Sequence, residues 1–323
     1  MRGKGCLVAG VLAALALLAA MFAGPLAFGS SEVEEDTNFI VPSGSTLTAV
    51  AGKLEDEGLI TSADGFLLRA KLLGGSDPIQ AGEFLLPAGV GLGGILDTFQ
   101  HGEVIRRFVT IPEGMPSIMV HERLMAEPLL TGDIPVPEEG SVLPDTYDFE
   151  RGEARTAVLA RMQAAMRNYL AEAWPRRAAD IAVGDIDEAV TLASIVEKET
   201  ALPSERRMVA GLYSNRVKAG MFLQADPTII YPITQGKPLG RRIRQSEIAD
   251  INDYNTYAMA GLPKGPITNP GRESIAAVLN PEKTDALYMV ADGSGGHEFN
   301  TDYAAHQAAV DKWFEIRRAR GEM

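Results

Sequence analysis

The chain begins with a run of 23 uncharged, mostly apolar residues, 6–28, and this run constrains its architecture more than any other feature. A helix of that length crosses a hydrocarbon core of ~30 Å. Arg2 and Lys4 precede the run, and four carboxylate side chains lie within residues 29–36. Because cations stay on the cytoplasmic side, we predict a cytoplasmic tail over 1–5, a single-pass transmembrane helix over 6–28 and a body outside the cytoplasm.

A cleaved signal peptide is the alternative, since Ala27-Phe28-Gly29 is an acceptable small-x-small cleavage site. The run exceeds the ~7–15 residues of a signal core, which favours the uncleaved anchor. The formal net charge of −13 argues against a nucleic-acid partner. The single cysteine, Cys6, lies in the apolar run and excludes a disulfide scaffold. CxxC and HExxH motifs are absent, which argues against a zinc site of either kind.

A Pro-x-Gly motif recurs after the predicted anchor. It lies at 42–44, 87–89 and 112–114, each time between a strand-like stretch and a stretch with helical spacing. Proline presets φ and glycine permits a positive φ, so the motif predicts a strand-to-helix turn. We predict an α+β fold, with a small module of such units over 39–128. A Pro- and Gly-rich linker over 127–146 then leads into a mostly helical, loop-rich domain over 139–323.

The motifs G-x-S-x-G and S-x-x-K of serine nucleophiles and the phosphate-binding loop do not occur in this sequence. The chemistry that remains is that of carboxyl groups. Residues 188–200 predict a helix that is apolar around most of its circumference and therefore buried. Glu197 and Glu199 lie in its last turn, in rows shared with apolar residues. A buried carboxyl group is either ion-paired or has a raised pKa, which suits a general acid near neutral pH. Periodicity does not choose between these alternatives, or between the two glutamates.

Seven motifs then occur in a fixed order. They are PDTY (144–147), LASIVEKET (192–200), LQADPTIIY (223–231), YNTY (254–257), GLPKGPITNPG (261–271), SIAAVLNP (274–281) and ADGSGGHEF (291–299). Together with the anchor and the Pro-x-Gly region, they resemble the endolytic murein transglycosylase family (MltG, YceG-like). The resemblance implies a protein of the bacterial inner membrane with a LysM-like module over 39–128. It also implies a periplasmic catalytic domain over 139–323.

The resemblance further implies a lyase that cuts MurNAc-β-1,4-GlcNAc bonds within nascent glycan strands, leaves 1,6-anhydro-MurNAc ends and so terminates strand elongation. Glu197, the first glutamate of EKET, matches the family's catalytic acid and base. It would act with the substrate's C6 hydroxyl as a tethered nucleophile, and the implied mechanism needs neither a metal nor an organic cofactor. The expected substrate-binding residues are Gln224, Asp226, Tyr254, Asn255, Asn269 and His297. The expected partners are glycan strands and peptidoglycan synthases.

Two other functions are compatible with parts of this pattern. A muramidase that uses water would differ in the end group that it leaves. A non-catalytic, membrane-anchored peptidoglycan-binding protein would rely on residues 39–128 alone. Such a binder has no reason to hold a carboxyl group at the end of an apolar helix, and the enzyme is therefore preferred.

Overall fold

The computed structural model describes residues 29–74 and 76–322. The chain divides into two compact units between Arg107 and Phe108. The fold is mixed α+β and mostly helical, with small two-stranded sheets, which confirms the predicted class. The predicted tail (1–5) and transmembrane helix (6–28) lie outside the described residues. Within the described ranges, no helix is long and apolar enough to cross a bilayer.

The first unit is built on an antiparallel strand pair. Strands β1 (Thr37–Val41) and β2 (Gly82–Leu86) pair with Phe39 opposite Phe84. Helices α1 (Leu47–Asp56) and α2 (Ala63–Leu73) connect them, and α3 (Leu92–His101) follows. The rings of Phe39 and Phe84 pack against Phe99 with centroids 5.3 and 5.5 Å apart, so the core of this unit lies between the strands and α3.

The three Pro-x-Gly motifs form the predicted turns. Gly44, Gly89 and Gly114 have φ values of +76°, +72° and +71°, a region that glycine enters without a steric penalty. Helices α1, α3 and α4 (Ser117–Ala126) each begin three residues after the glycine. The third motif belongs to the second unit, since that unit begins at Phe108. The division at 128 and the LysM-like assignment stay predictions.

The second unit combines helices with two short strand pairs. Strand β3 (Arg106–Thr110) pairs with β4 (Thr146–Glu150), and β5 (Tyr288–Ala291) forms an antiparallel hairpin with β6 (His297–Asn300). Among the described residues, α4 is followed by the α-helices α5 (Arg155–Ala173), α6 (Ile186–Glu199), α7 (Arg206–Lys218), α8 (Asp226–Thr234), α9 (Gln245–Ile248), α10 (Arg272–Leu279) and α11 (Tyr303–Ala319).

Helix α6 is the centre of this unit, as the apolar pattern predicts. Eight consecutive residues, 189–196, are buried, and α7, α8 and α10 pack around them. The side chain of Asp185 caps the first turn by accepting a hydrogen bond of 2.8 Å from the Glu188 N–H. Glu197 and Glu199 occupy the last turn, where negative charge opposes the helix dipole. Helix stability therefore does not explain the two glutamates.

Candidate active site

A cavity of about 480 Å³ opens beside the last turn of α6. Helix α7, the start of α8, the β5–β6 hairpin and α11 complete its walls. Its polar lining residues are Lys198, Glu199, Tyr213, Arg216, Gln224, Asp226, Tyr257, His297 and His306. A concave site where titratable groups from distant parts of the chain converge is the best candidate for a binding or active site.

Glu199 is the carboxyl group of α6 that faces this cavity. Burial, together with the nearby Asp226 carboxylate, raises its pKa to about 7, although the Tyr213 hydroxyl and Arg216 oppose the shift. One of its oxygens, Oε1, is buried and has no hydrogen-bond partner among the described residues. A carboxyl group with this pKa can donate or accept a proton near neutral pH, and the described residues leave its Oε1 without a partner.

Asp226 is held at the cavity by contacts between two loops. Its Oδ1 accepts a hydrogen bond of 2.7 Å from the Tyr257 hydroxyl. The backbone N–H of Ala225 donates to Thr256 Oγ1 at 3.1 Å, which ties the LQADPT segment to the YNTY segment. Gln224 has a φ of +53°, in the left-handed region that non-glycine residues rarely adopt, and its backbone N–H donates to the Thr256 carbonyl. This strained backbone places the side chain of Gln224 at the cavity.

His297 is fixed by a carboxylate that the sequence did not identify. Glu205 Oε2 lies 2.8 Å from His297 Nδ1, and Glu205 Oε1 accepts the backbone N–H of His297 at 2.9 Å. Because Nδ1 makes this contact, Nε2 is the ring nitrogen that remains for a ligand. Glu205 precedes α7 among other charged residues, so no sequence pattern connects it with His297.

His306 also lines the cavity, and its ring stacks on Tyr288 with centroids 5.2 Å apart. Burial lowers the pKa of His306, and the positive charge of Arg216 lowers it further.

Glu197, the predicted catalytic residue, does not line this cavity. Its side chain is 6% exposed, and Oε2 accepts the backbone N–H of Gly271, just before α10, at 2.9 Å. Oε1 lies 3.9 Å from Arg206 Nη2, and Glu113 approaches the same guanidinium at 3.7 Å. The structure thus gives Glu197 the ion-paired arrangement that the sequence left open.

Three of the predicted substrate-binding residues lie away from the cavity. Asn269 is fully buried, and its amide joins the Met115 carbonyl, at 2.9 Å, to the Val142 N–H, at 3.0 Å. Asn255 is also fully buried and donates to three backbone carbonyl groups. Tyr254 packs on the core of the unit. These contacts hold loops in place, so the prediction that the two amides contact a sugar gains no support.

Metal binding has no evident site in the described part of the chain. No group of three or more His, Cys, Asp or Glu side chains within 29–74 and 76–322 is arranged to hold an ion.

The chain belongs to the YceG-like family, whose model matches residues 39–312. It is 27% identical to an endolytic murein transglycosylase of Bacillus subtilis over 336 residues, which covers 92% of each chain. It is 28% identical to the Streptococcus pneumoniae protein of the same name over 321 residues, covering 84% of this chain and 56% of the pneumococcal protein. A 2.6 Å crystal structure of a YceG-like protein from Listeria monocytogenes matches with a TM-score of 0.51 and 25% identity, covering 85% of this chain and 98% of that one.

Proposed function

We propose that the protein is an endolytic murein transglycosylase, a lyase that cuts MurNAc-β-1,4-GlcNAc bonds within glycan strands and leaves 1,6-anhydro-MurNAc ends. The family membership and the names of the relatives support the substrate class. The observation that carries the chemistry is Glu199, a buried carboxyl group that lines a polar cavity, has a pKa of about 7 and has one oxygen without a partner in the described part of the chain.

Glu199 takes the role of acid and base in this proposal, in place of Glu197. The first glutamate of EKET matched the expected residue, but its oxygens contact the Gly271 amide and Arg206 outside the cavity. A residue that first donates and then accepts a proton works best when its pKa lies near the working pH. The pKa of Glu199 meets that requirement.

The reaction needs only one acid–base group because the substrate supplies its own nucleophile. Protonated Glu199 donates its proton to O4 of the leaving GlcNAc as the bond from C1 to O4 breaks. The resulting carboxylate accepts the proton of the MurNAc C6 hydroxyl as O6 bonds to C1. Because O6 is tethered to the same ring, its effective concentration replaces an activated water molecule.

The other polar groups of the cavity have supporting roles in the proposed reaction. The Asp226 carboxylate is the negative group available to stabilise positive charge that develops at C1. The Tyr257 hydroxyl orients it through the 2.7 Å hydrogen bond. Gln224 and the Nε2 atom of His297 are proposed to bind sugar hydroxyl or acetamido groups.

A water-using muramidase is the second candidate, and Asp226 favours it. Most glycosidases use two carboxyl groups in one cavity. One protonates the leaving oxygen, and the other activates water or attacks C1. Reaction in H₂¹⁸O separates the two mechanisms. We expect products that end in 1,6-anhydro-MurNAc and contain no ¹⁸O. Reducing MurNAc ends that carry ¹⁸O would refute lytic cleavage and support the muramidase.

The location belongs to the same proposal. We propose that residues 6–28 anchor the protein in the inner membrane, with the N-terminus cytoplasmic and the catalytic unit in the periplasm near the synthases that make the strands. In intact cells, a C-terminal tag should be accessible from the periplasm and an N-terminal tag should not. The reverse accessibility would refute this topology.

A further inference from the structure

A second cavity of about 480 Å³ adjoins the catalytic cavity. Lys198, Pro227 and Ile230 line both cavities. The turn 112–116 and the segment 236–239 form most of the remaining wall, together with one side chain each from α4 and the loop before α10. Because the two cavities share a wall, a ligand bound beside Glu199 can extend directly into the second one.

The lining of the second cavity differs from that of the first. Its apolar members include Met115, Met119, Pro116, Pro238, Leu239 and Ile267. The described lining contains neither an aromatic ring nor a side-chain amide, whereas the catalytic cavity has two tyrosines and a glutamine. Sugar rings are held by such hydrogen-bonding groups and by aromatic faces. The second cavity therefore suits small aliphatic groups rather than another sugar.

Among the described residues, one cation without a carboxylate partner, Lys198, lies where the two cavities meet. Glu113 and Lys237, which also line the second cavity, each have an oppositely charged partner. The Lys198 ammonium instead donates to the Gly114 carbonyl at 3.4 Å, and no carboxylate lies within 4.0 Å of it among the described residues. An unpaired ammonium beside apolar walls favours a ligand that carries a carboxylate among aliphatic groups.

We propose that the second cavity binds the stem peptide of a MurNAc residue at the cleavage site, a step that rests on the proposed function. This peptide is acidic and contains alanine, so its methyl groups match the apolar walls and a carboxylate matches Lys198. It is also the part of a peptidoglycan strand that is not sugar. The second cavity thereby makes peptide-bearing strands better substrates than bare glycan.

The test compares two substrates with the full chain: uncrosslinked strands with intact stem peptides, and the same strands after an amidase has removed the peptides. We expect kcat/KM to be at least ~tenfold higher on peptide-bearing strands. Leu239→Asp adds a carboxylate to the apolar wall and should bring that ratio close to one. Ile251→Asp makes the same change of charge at a side chain that is 86% exposed and should keep the ratio.

Equal kcat/KM values on both strands, or a Leu239→Asp ratio equal to that of the wild type, would overturn the proposal. If the wild type cuts neither strand, the proposed function fails. Co-sedimentation of the Glu199→Gln chain with each kind of strand then tests binding of the stem peptide independently of cleavage. Stronger retention of peptide-bearing strands would support the peptide site, and equal retention would refute it.

Discussion

Replacing Glu199 by glutamine is expected to stabilise the second unit above neutral pH and to leave its stability nearly unchanged in acid. Burial and the Asp226 carboxylate raise the pKa of Glu199 to about 7, whereas an unfolded glutamate titrates near ~4.3. The folded state thus binds this proton more tightly than the unfolded state. The resulting stabilisation is complete below the unfolded pKa and is lost as the pH rises through about 7.

The size of the effect follows from the difference between the two pKa values. Each tenfold change in proton affinity corresponds to ~1.4 kcal/mol, so the wild type should lose about 3 kcal/mol between about pH 4 and about pH 9 from this group alone. Glutamine has a similar shape and does not ionise. The variant should therefore exceed the wild type by that amount at the higher pH and match it at the lower one.

Denaturant unfolding followed by tryptophan fluorescence measures this difference. Both tryptophans, Trp174 and Trp313, lie in the second unit, so the signal reports on that unit. Burial also raises the pKa of Glu139 to about 7, but Glu139 is present in both proteins and its contribution cancels. If the variant and the wild type differ in unfolding free energy by the same amount at both pH values, Glu199 does not titrate near neutral pH and the reasoning is refuted.

Three further predictions concern the groups around the cavity. Glu205→Gln should lower kcat/KM for strand cleavage ~tenfold or more, because a hydrogen bond to a charged group contributes about 1.5–3 kcal/mol and this one orients His297. Unchanged kinetics would contradict that role. Gly271→Ala places a methyl group against the Glu113 carboxylate and should cost ~1 kcal/mol of unfolding free energy, which Glu113→Ala should restore. Denaturant titration of the single and double variants checks this. Glu197→Gln keeps an acceptor for the Gly271 amide and should cost ~1 kcal/mol in the same assay, and a loss of folding would contradict it.

Local chemistry made part of the fold predictable. Each Pro-x-Gly motif has its own proline and glycine, and the positive φ of Gly44, Gly89 and Gly114 follows from those residues alone. The buried helix over 186–199 follows from its unbroken apolar run. Helix α8 was less predictable, because Pro227 and Pro232 indicate a loop. Pro227 lies in the first turn, where its missing N–H is tolerated.

The site was less predictable because tertiary partners decide it. Glu197 and Glu199 both lie in rows of the helix that face the interior. Contacts with distant segments separate their roles. The Gly271 amide donates to Glu197, whereas Asp226 lies near Glu199 and raises its pKa. The same reason explains the asparagines. The side-chain amide of an asparagine in a loop can bind a ligand or backbone groups. The amides of Asn255 and Asn269 bind backbone carbonyl groups.

The most direct test of the account measures strand cleavage by the wild type, Glu199→Gln and Glu197→Gln side by side, as the rate at which 1,6-anhydro-MurNAc ends form. Removing a general acid typically lowers the rate by about 10²–10⁴-fold. We predict a loss of that size for Glu199→Gln and a rate within about tenfold of the wild type for Glu197→Gln. The opposite ranking of the two variants, with both folded, would contradict the assignment of Glu199 and restore the residue predicted from the sequence.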